Sequence, residues 1–444
     1  MIKTDTRSFR LGFAALVLFT GLAGDFWRDA TSWWGYGVVV VLVVIGAVTM
    51  LVQGTDRITL RRLPYPLLGF LALATVSIAW SFYPGSTALG VTAQWLTTIA
   101  GLSVALFLSW QDLLRVLGWV LRLILAMSFV FEFIVSAFIR HPVLPVWVVP
   151  ANPKHIAALA YWSRDLLFSG AKIQGIVGNS SLLGMIALLA LIVFSVQAMC
   201  RSVGRAWGWF WVLVAFATIV ITDSATIYLG LAVVIVVAVM ARVVGSAPTP
   251  RRRRIAYAGV GGALVVLAIG VAIFHDRILS VVGKNDTLTG RTDIWNAVIQ
   301  LAQQRPAFGW GWVSYWTPWV EPFKSFLHKG GVQVMHAHNA WLDVWLQLGI
   351  LGLIVFGALV LSTIIRAWIM AVTPVIVSRQ SPGSWSWLAM LPLLLLVAEL
   401  VQSLAESRLL IEGGWIMLVV LAVKTKLSPL GVETVARVQE RALR

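Results

Sequence analysis

The chain has 444 residues, of which 59% are hydrophobic and 12% charged, and a formal charge of +16. Uncharged apolar runs at 38–52, 182–196 and 348–365 approach the ~20 residues that carry a helix across a bilayer, which excludes an ordinary water-soluble enzyme. The runs are continuous rather than alternating, so they exclude a membrane β-barrel too. A single cysteine, Cys200, excludes a disulfide framework within one chain and any cysteine-based metal site.

In chain order, spans are expected near 11–25, 35–53, 64–82, 87–109, 113–137, 180–199, 206–222, 225–242, 255–274, 340–365, 384–401 and 408–423, about twelve helices in all. The fold class is therefore an all-α polytopic membrane protein, with residues 1–444 as a single integral domain. Lys3, Arg7 and Arg10 precede the first apolar run as they would in a signal peptide, but the many later spans predict an uncleaved first helix. With the N-terminus in the cytoplasm, that side collects Arg57, Arg61 and Arg62, then Arg201 and Arg205, Arg242 with the 251–254 arginine run, Arg366 and Arg379, and the tail 424–444. This satisfies the positive-inside rule loop after loop, so the basic charge sets topology and no nucleic-acid partner is expected.

Two connections, 138–178 and 275–339, fall on the opposite, periplasmic face and are longer than any turn requires. They carry Trp147, Trp162, Trp295, Trp310, Trp312, Trp316 and Trp319, which argues for ordered structure at the membrane interface. They also carry cations against the orientation rule: Arg140, Lys154, Arg164 and Lys172 in the first, and Arg277, Lys284, Arg291, Arg305, Lys324 and Lys329 in the second. An anionic ligand accounts for them, because guanidinium forks bind phosphate bidentately and Lys adds point charge; contact with anionic lipid headgroups is the alternative. Within the spans Arg122, Glu132 and Glu399 are the main charges, too few for an ion-coupled transporter.

The second connection repays closer reading. Residues 291–303 place Ile294, Val298 and Leu301 on one face beside Trp295, an amphipathic helix for the membrane surface. Arg291 stands at the predicted start, where it and free N–H groups would clamp a phosphate. Pro306, Gly309 and Gly311 end that helix and allow close backbone approach. His338 and Asn339 cap the next helix, whose partial positive charge favours a neutral imidazole able to accept a proton. His336 and His338, with His328, raise a zinc alternative that lacks a neighbouring carboxylate in sequence, so no metal is expected. Plain capping by the His-Asn pair is a second alternative, and Glu321 and Asp343 are rival bases.

Taken together, "TGRTDIWNAVIQLAQQRPAFGWGWVSYW" and "HAHNAWLDVWLQLGILGLI" carry GR-x-x-x-W, P-x-x-G-x-G and H-N-x-x-L in order over 290–354. This resembles the O-antigen ligase and polymerase superfamily of membrane glycosyltransferases. The resemblance implies a GT-C-like fold in the inner membrane with its active site facing the periplasm. It implies a ligase that moves O-polysaccharide from undecaprenyl diphosphate to a sugar of lipid A-core in lipopolysaccharide biosynthesis, with inversion and without cofactor or metal. His338 is the expected general base. Arg291, Arg164, Lys154, Lys172 and Arg140 are the expected diphosphate ligands, with Asn339, Gly309, Gly311 and Asn179 in support.

At "TDSATIYLG" family members often carry an Arg after a Ser, whereas this chain has Ala225 and Thr226. That departure removes one phosphate ligand, which the first-loop cations would replace. "SLAESRLLIEGG" resembles the last external turn, with Glu406 and Arg408 read as a mutual pair or as the edge of the site. An O-antigen polymerase, a protein O-oligosaccharyltransferase and, in another class, a lipid-linked glycan flippase are the rival functions. The flippase would need no proton-accepting histidine.

Overall fold

The computed structural model describes residues 6–53, 60–149, 156–170, 172–247, 249–273, 286–329, 332–373, 385–428 and 430. The protein is a helical bundle. Its first half comprises α1 (Thr6–Leu22), α2 (Gly24–Gln53), α3 (Tyr65–Val76), α4 (Pro84–Phe107), α5 (Trp110–Ile134) and α6 (Ser180–Met199). Then follow α7 (Arg205–Thr222), α8 (Ala225–Gly245), α9 (Pro250–Ile273), α10 (Asp286–Gln303), the single turn α11 (Phe323–Phe326), α12 (Ala340–Val372), α13 (Leu391–Ser403) and α14 (Glu412–Leu427). Strand content among the described residues is a two-stranded hairpin, His328–Lys329 against Val332–Gln333, and an isolated bridge between Val143 and Ser163.

A helix stands at every expected span. Seven of them are long and apolar enough to cross a membrane: α2, α4, α5 with its π-turn extension, α6, α7, α8 and α12. Two more apolar stretches, Tyr65–Ala79 and Trp387–Ser403, are shorter. The last span starts later than expected: Arg408–Leu410 form a 3₁₀ turn, α14 begins at Glu412, and it runs on to Leu427. There Lys424, 1% exposed, donates to the Leu108 carbonyl at 2.6 Å, satisfying the open end of α4 as a helix C-terminus requires.

Local sequence explains the helix starts. Ser109 accepts from the Asp112 amide at 3.1 Å and so caps α5, while Asn179 accepts from the Leu182 amide at 3.0 Å and caps α6. Near the end of α5, the Glu132 carboxylate accepts from Gln174 N–H (2.9 Å), Gly175 N–H (2.7 Å) and the Ser163 hydroxyl (2.8 Å). This buried acid therefore pins the first long connection to the bundle rather than serving transport.

The decisive break lies inside α12. Gly349 (φ 67, ψ −165) interrupts it, leaving a stub Ala340–Leu348 and a long membrane helix. The groups freed by the break are taken up by the Pro-Gly stretch after α10. Trp310 N–H donates to Leu346 O (3.0 Å) and Gly311 N–H to Gln347 O (2.9 Å), while Ile350 N–H donates to Pro306 O (2.8 Å). The glycines are obligatory here: a Cβ on Gly349 would stand 2.2 Å from the Ala307 carbonyl oxygen, and one on Gly309 2.4 Å from the Gln347 carbonyl carbon. Gly349→Ala is accordingly expected to destabilise the fold by at least about 1–3 kcal/mol, the cost of that backbone region for an L-residue. Gly357→Ala, where nothing lies within 4 Å, should be neutral or mildly stabilising. Equal melting temperatures for the two variants in detergent would contradict this account of the break.

Candidate functional site

A cavity of about 800 Å³ opens where the two long connections meet. Its walls come from Arg28 and Tyr36 of α2, Gln94 of α4, Arg291 of α10, Tyr315, His336 and His338, and Arg408 and Glu412 around the start of α14.

His338 lies in this wall with a left-handed backbone, φ 50, immediately before Asn339, which caps α12 by accepting from the Trp341 (2.9 Å) and Leu342 (3.2 Å) amides. The imidazole Nδ1 meets Glu406 Oε2 at 3.0 Å, and the other oxygen of that carboxylate accepts from Arg291 Nη2 at 2.7 Å. Burial alone would push the Glu406 carboxyl up, but the hydrogen bond and charge of His338, with help from His336 and Arg291, hold it down at about 2. An ionised carboxylate can only accept, so in the neutral imidazole Nδ1 carries the hydrogen and the free lone pair lies on Nε2.

Of the two sequence readings of Glu406 and Arg408, a mutual pair or the edge of the site, the first is not formed. The fold corrects this: Glu406 bridges Arg291 and His338, whereas Arg408 pairs with Glu412 (3.1 Å) and Asp25 (3.3 Å). Arg28 completes a second network, bonding Glu412 at 2.5 Å and Asp25, with its guanidinium 4.9 Å from the centre of the Tyr36 ring.

One buried acid sets the spacing of the His338 and Glu406 chain segments. Asp343, fully buried, accepts from the Ala337 amide (2.9 Å) and from the Ser407 hydroxyl, the neighbours of His338 and Glu406, and from Trp316 Nε1 (2.8 Å). Asn339 Nδ2 donates to Leu404 O (3.3 Å) and Trp341 Nε1 to Ser403 Oγ (3.1 Å), which completes the seam. Asp343, weighed from sequence as a rival base, is thus fully engaged in positioning.

Of the expected anion ligands, Arg291 reaches the cavity. It does so from the second turn of its helix, because α10 begins by Asp286 rather than at Arg291; the clamp of arginine plus free N-terminal amides is therefore not formed at this residue. Arg164 donates to Gln174 Oε1 at 3.1 Å, Lys172 faces Asp223 at 3.6 Å, and exposed Arg140 donates to the Ala137 carbonyl at 3.0 Å. None of these three is in the lining, and Lys154 lies outside the described residues. The cations that join Arg291 there are Arg28 and Arg408. Arg28 was missed by sequence reading; the only signal was the cluster Asp25, Arg28, Asp29 beside aromatic residues at the end of the first span. Gly309, Gly311 and Asn179 support the fold, as described above, and do not line the cavity.

The nearby carboxylate that a metal set would need is supplied by the fold: ligand atoms of His336, His338 and Glu406 lie within 4.8 Å of one another. The donor chemistry disfavours a dication there. His336 Nδ1 is already accepting from His338 N–H at 3.1 Å, one carboxylate oxygen belongs to Arg291, and the same wall carries Arg408.

The site should be labile to acid. Burial, with the charge of His338, pushes His336 down to about 3, so it folds neutral and loses stability as pH falls below 6.5, where the unfolded imidazole takes a proton first. Glu406, depressed to about 2, contributes stability that is present above 4.5 and lost as pH falls through 2. Both act in the same direction. Melting temperature in detergent should therefore decline from pH 6.5 downward, less steeply in His336→Phe than in wild type; parallel curves would refute the assignment.

Residues 210–357 match the model of the family described as O-antigen ligase. The exopolysaccharide production protein ExoQ of Rhizobium meliloti (strain 1021) is 31% identical over 118 residues, which is 26% of this chain and 27% of that relative's own length.

Proposed function

We propose, from the premise that residues 210–357 belong to the O-antigen ligase family, that this multi-pass membrane protein is an O-antigen ligase. It would transfer polysaccharide from undecaprenyl diphosphate to a sugar of lipid A-core on the periplasmic face of the inner membrane. The observation that carries the reading is that Arg291 and His338, both in the wall of the cavity, are bridged by Glu406. His338 Nε2 takes the proton of the acceptor hydroxyl as its oxygen attacks the anomeric carbon, and Glu406 steadies the imidazolium that results. The bond from that carbon to the diphosphate breaks with its electron pair leaving on the phosphate oxygen. Arg291, Arg408 and Arg28 offer N–H donors to that departing charge. Attack opposite the leaving group gives inversion. The scheme needs neither nucleotide nor metal.

A second reading has one observation in its favour: the curated relative is named for exopolysaccharide production, which suits a polymerase that extends one lipid-linked glycan with another. Both use the same donor and base. Detergent-solubilised protein should be given lipid-diphosphate-linked polysaccharide, lipid A-core and chelator, without nucleotide. Glycan on lipid A-core supports the ligase; lengthened lipid-linked chains alone support the polymerase; no transfer to either acceptor defeats both.

A further inference from the structure

A second, smaller space adjoins the cavity. It measures about 50 Å³ and shares Tyr36 and Val40 of α2, Leu96 and Thr97 of α4, and Glu412 with the cavity lining. The charged end thus adjoins an apolar cleft between α2 and α4. Its α2 wall turns most of its surface outward: only 17% of that helix's most apolar stretch is buried against the rest of the protein. Ser32 (φ 68, ψ 175) separates Gly24–Thr31 from the remainder of α2 in a backbone region that is essentially reserved for glycine. The bend leaves Arg28 at the charged end and turns Tyr36 and Val40 along the cleft.

Among the described residues two buried polar groups here lack a protein partner: Thr20 Oγ1 in the smaller space and, at the charged end, an amide of α4. Gln94, 2% exposed, lines the cavity, and its Nε2 has no acceptor. An amide donor left unpaired at that depth costs roughly 1–3 kcal/mol, so an occupant that accepts from it gains correspondingly. The acceptor must be compatible with the guanidinium groups of Arg28 and Arg408 in the same lining, which also holds their partners Asp25 and Glu412, and with a chain that fits between apolar helix faces. A diphosphate on a long hydrocarbon chain meets all three conditions.

We propose that the cleft between α2 and α4 seats the hydrocarbon chain of a lipid diphosphate, whose phosphate oxygens accept from Gln94 Nε2 beside Arg28 and Arg408. This rests on the transferase reading and assigns the place where its donor sits. Gln94 acts in binding.

The test uses the full-length protein in nanodiscs and a glycan-free polyprenyl diphosphate bearing a diazirine on its chain. Photolabel should fall on α2 and α4 peptides around Tyr36–Val40 and Ala93–Thr97, and unlabelled polyprenyl diphosphate should compete while excess phosphatidylglycerol should not. Gln94→Leu should weaken competition, and raise KM for the glycan donor, about tenfold to a hundredfold, the worth of a hydrogen bond to a charged group. Its melting temperature should be unchanged or higher, because an unpaired donor is removed. Ala93→Trp, at an exposed cleft position, should weaken labelling without unfolding the bundle. Label elsewhere, or equal competition by phosphatidylglycerol, overturns the proposal even if the wild type transfers glycan. Unchanged competition and KM in Gln94→Leu also overturn it. Specific labelling of the cleft by a protein that transfers glycan to no acceptor would instead defeat the enzymatic reading and leave the lipid site standing.

Discussion

His338→Ala protein is expected to transfer glycan about 10²–10⁴-fold more slowly than wild type, the usual contribution of a positioned general base, with KM for the donor changed little. The prediction follows from what the histidine touches. Its Nδ1 is committed to Glu406, so the ring keeps one acceptor nitrogen, and no nearby group is arranged to replace it. His336 is half-buried and held neutral down to about 3, a poor base, and Asp343 is fully buried, already accepts from three donors and does not line the cavity. His336→Phe should therefore retain most of the turnover that His338→Ala loses. Single-turnover measurements under donor saturation separate this from a binding defect. Comparable loss in both variants would mean that the pair acts as a unit and that the base assignment is wrong. A flippase would show neither loss, since transport needs no proton acceptor here.

The second large effect is expected at Glu406. Its removal in Glu406→Ala frees the imidazole and leaves the Arg291 guanidinium, 15% exposed, without its counter-charge. Turnover should fall roughly 10²-fold or more, as when an orienting carboxylate is lost from a histidine. Glu406→Gln keeps an acceptor oxygen and should recover part of that loss. The informative comparison is the double variant with His338→Ala, which should be scarcely slower than His338→Ala alone, because an orienting group is worth nothing without the group it orients. Additive losses in that cycle would show that Glu406 acts independently of His338. A simple packing role would predict full rescue by Gln, which keeps the shape of the side chain and loses only its charge.

These results bear on residues that sequence reached unequally. The helices were legible because long apolar runs report a membrane environment whatever packs against them, and the His-Asn cap was legible because capping is local in sequence. The partner of His338 was not, for it lies 68 residues away, and two residues of one turn, Glu406 and Arg408, were the only visible pair. The fold sends these side chains to different networks. Arg164, Lys172 and Arg140 were chosen for lying on the expected face, but a face is a far weaker constraint than a wall of one cavity. Arg28 shows the converse, a cation beside a span whose role depends on the turns and the cleft around it. The break at Gly349 was hidden for another reason. Glycine is tolerated within membrane helices, so "LQLGILGLI" reads as uninterrupted, and only the backbone of residues 306–311 arriving alongside shows that it is not.

That break bears on how the protein meets its bilayer. The stub that ends at Leu348 is stitched to the Pro306–Gly311 loop and, through Asp343 and Asn339, to the turn that bears Glu406. His338 is consequently carried by the surface cap rather than by the long shaft below it. Because the same loop also accepts from the Ile350 and Leu351 amides at the head of the shaft, it clamps both sides of the break, and a shaft that tilts to match a thinner or thicker membrane would carry the loop and the His338 cap with it.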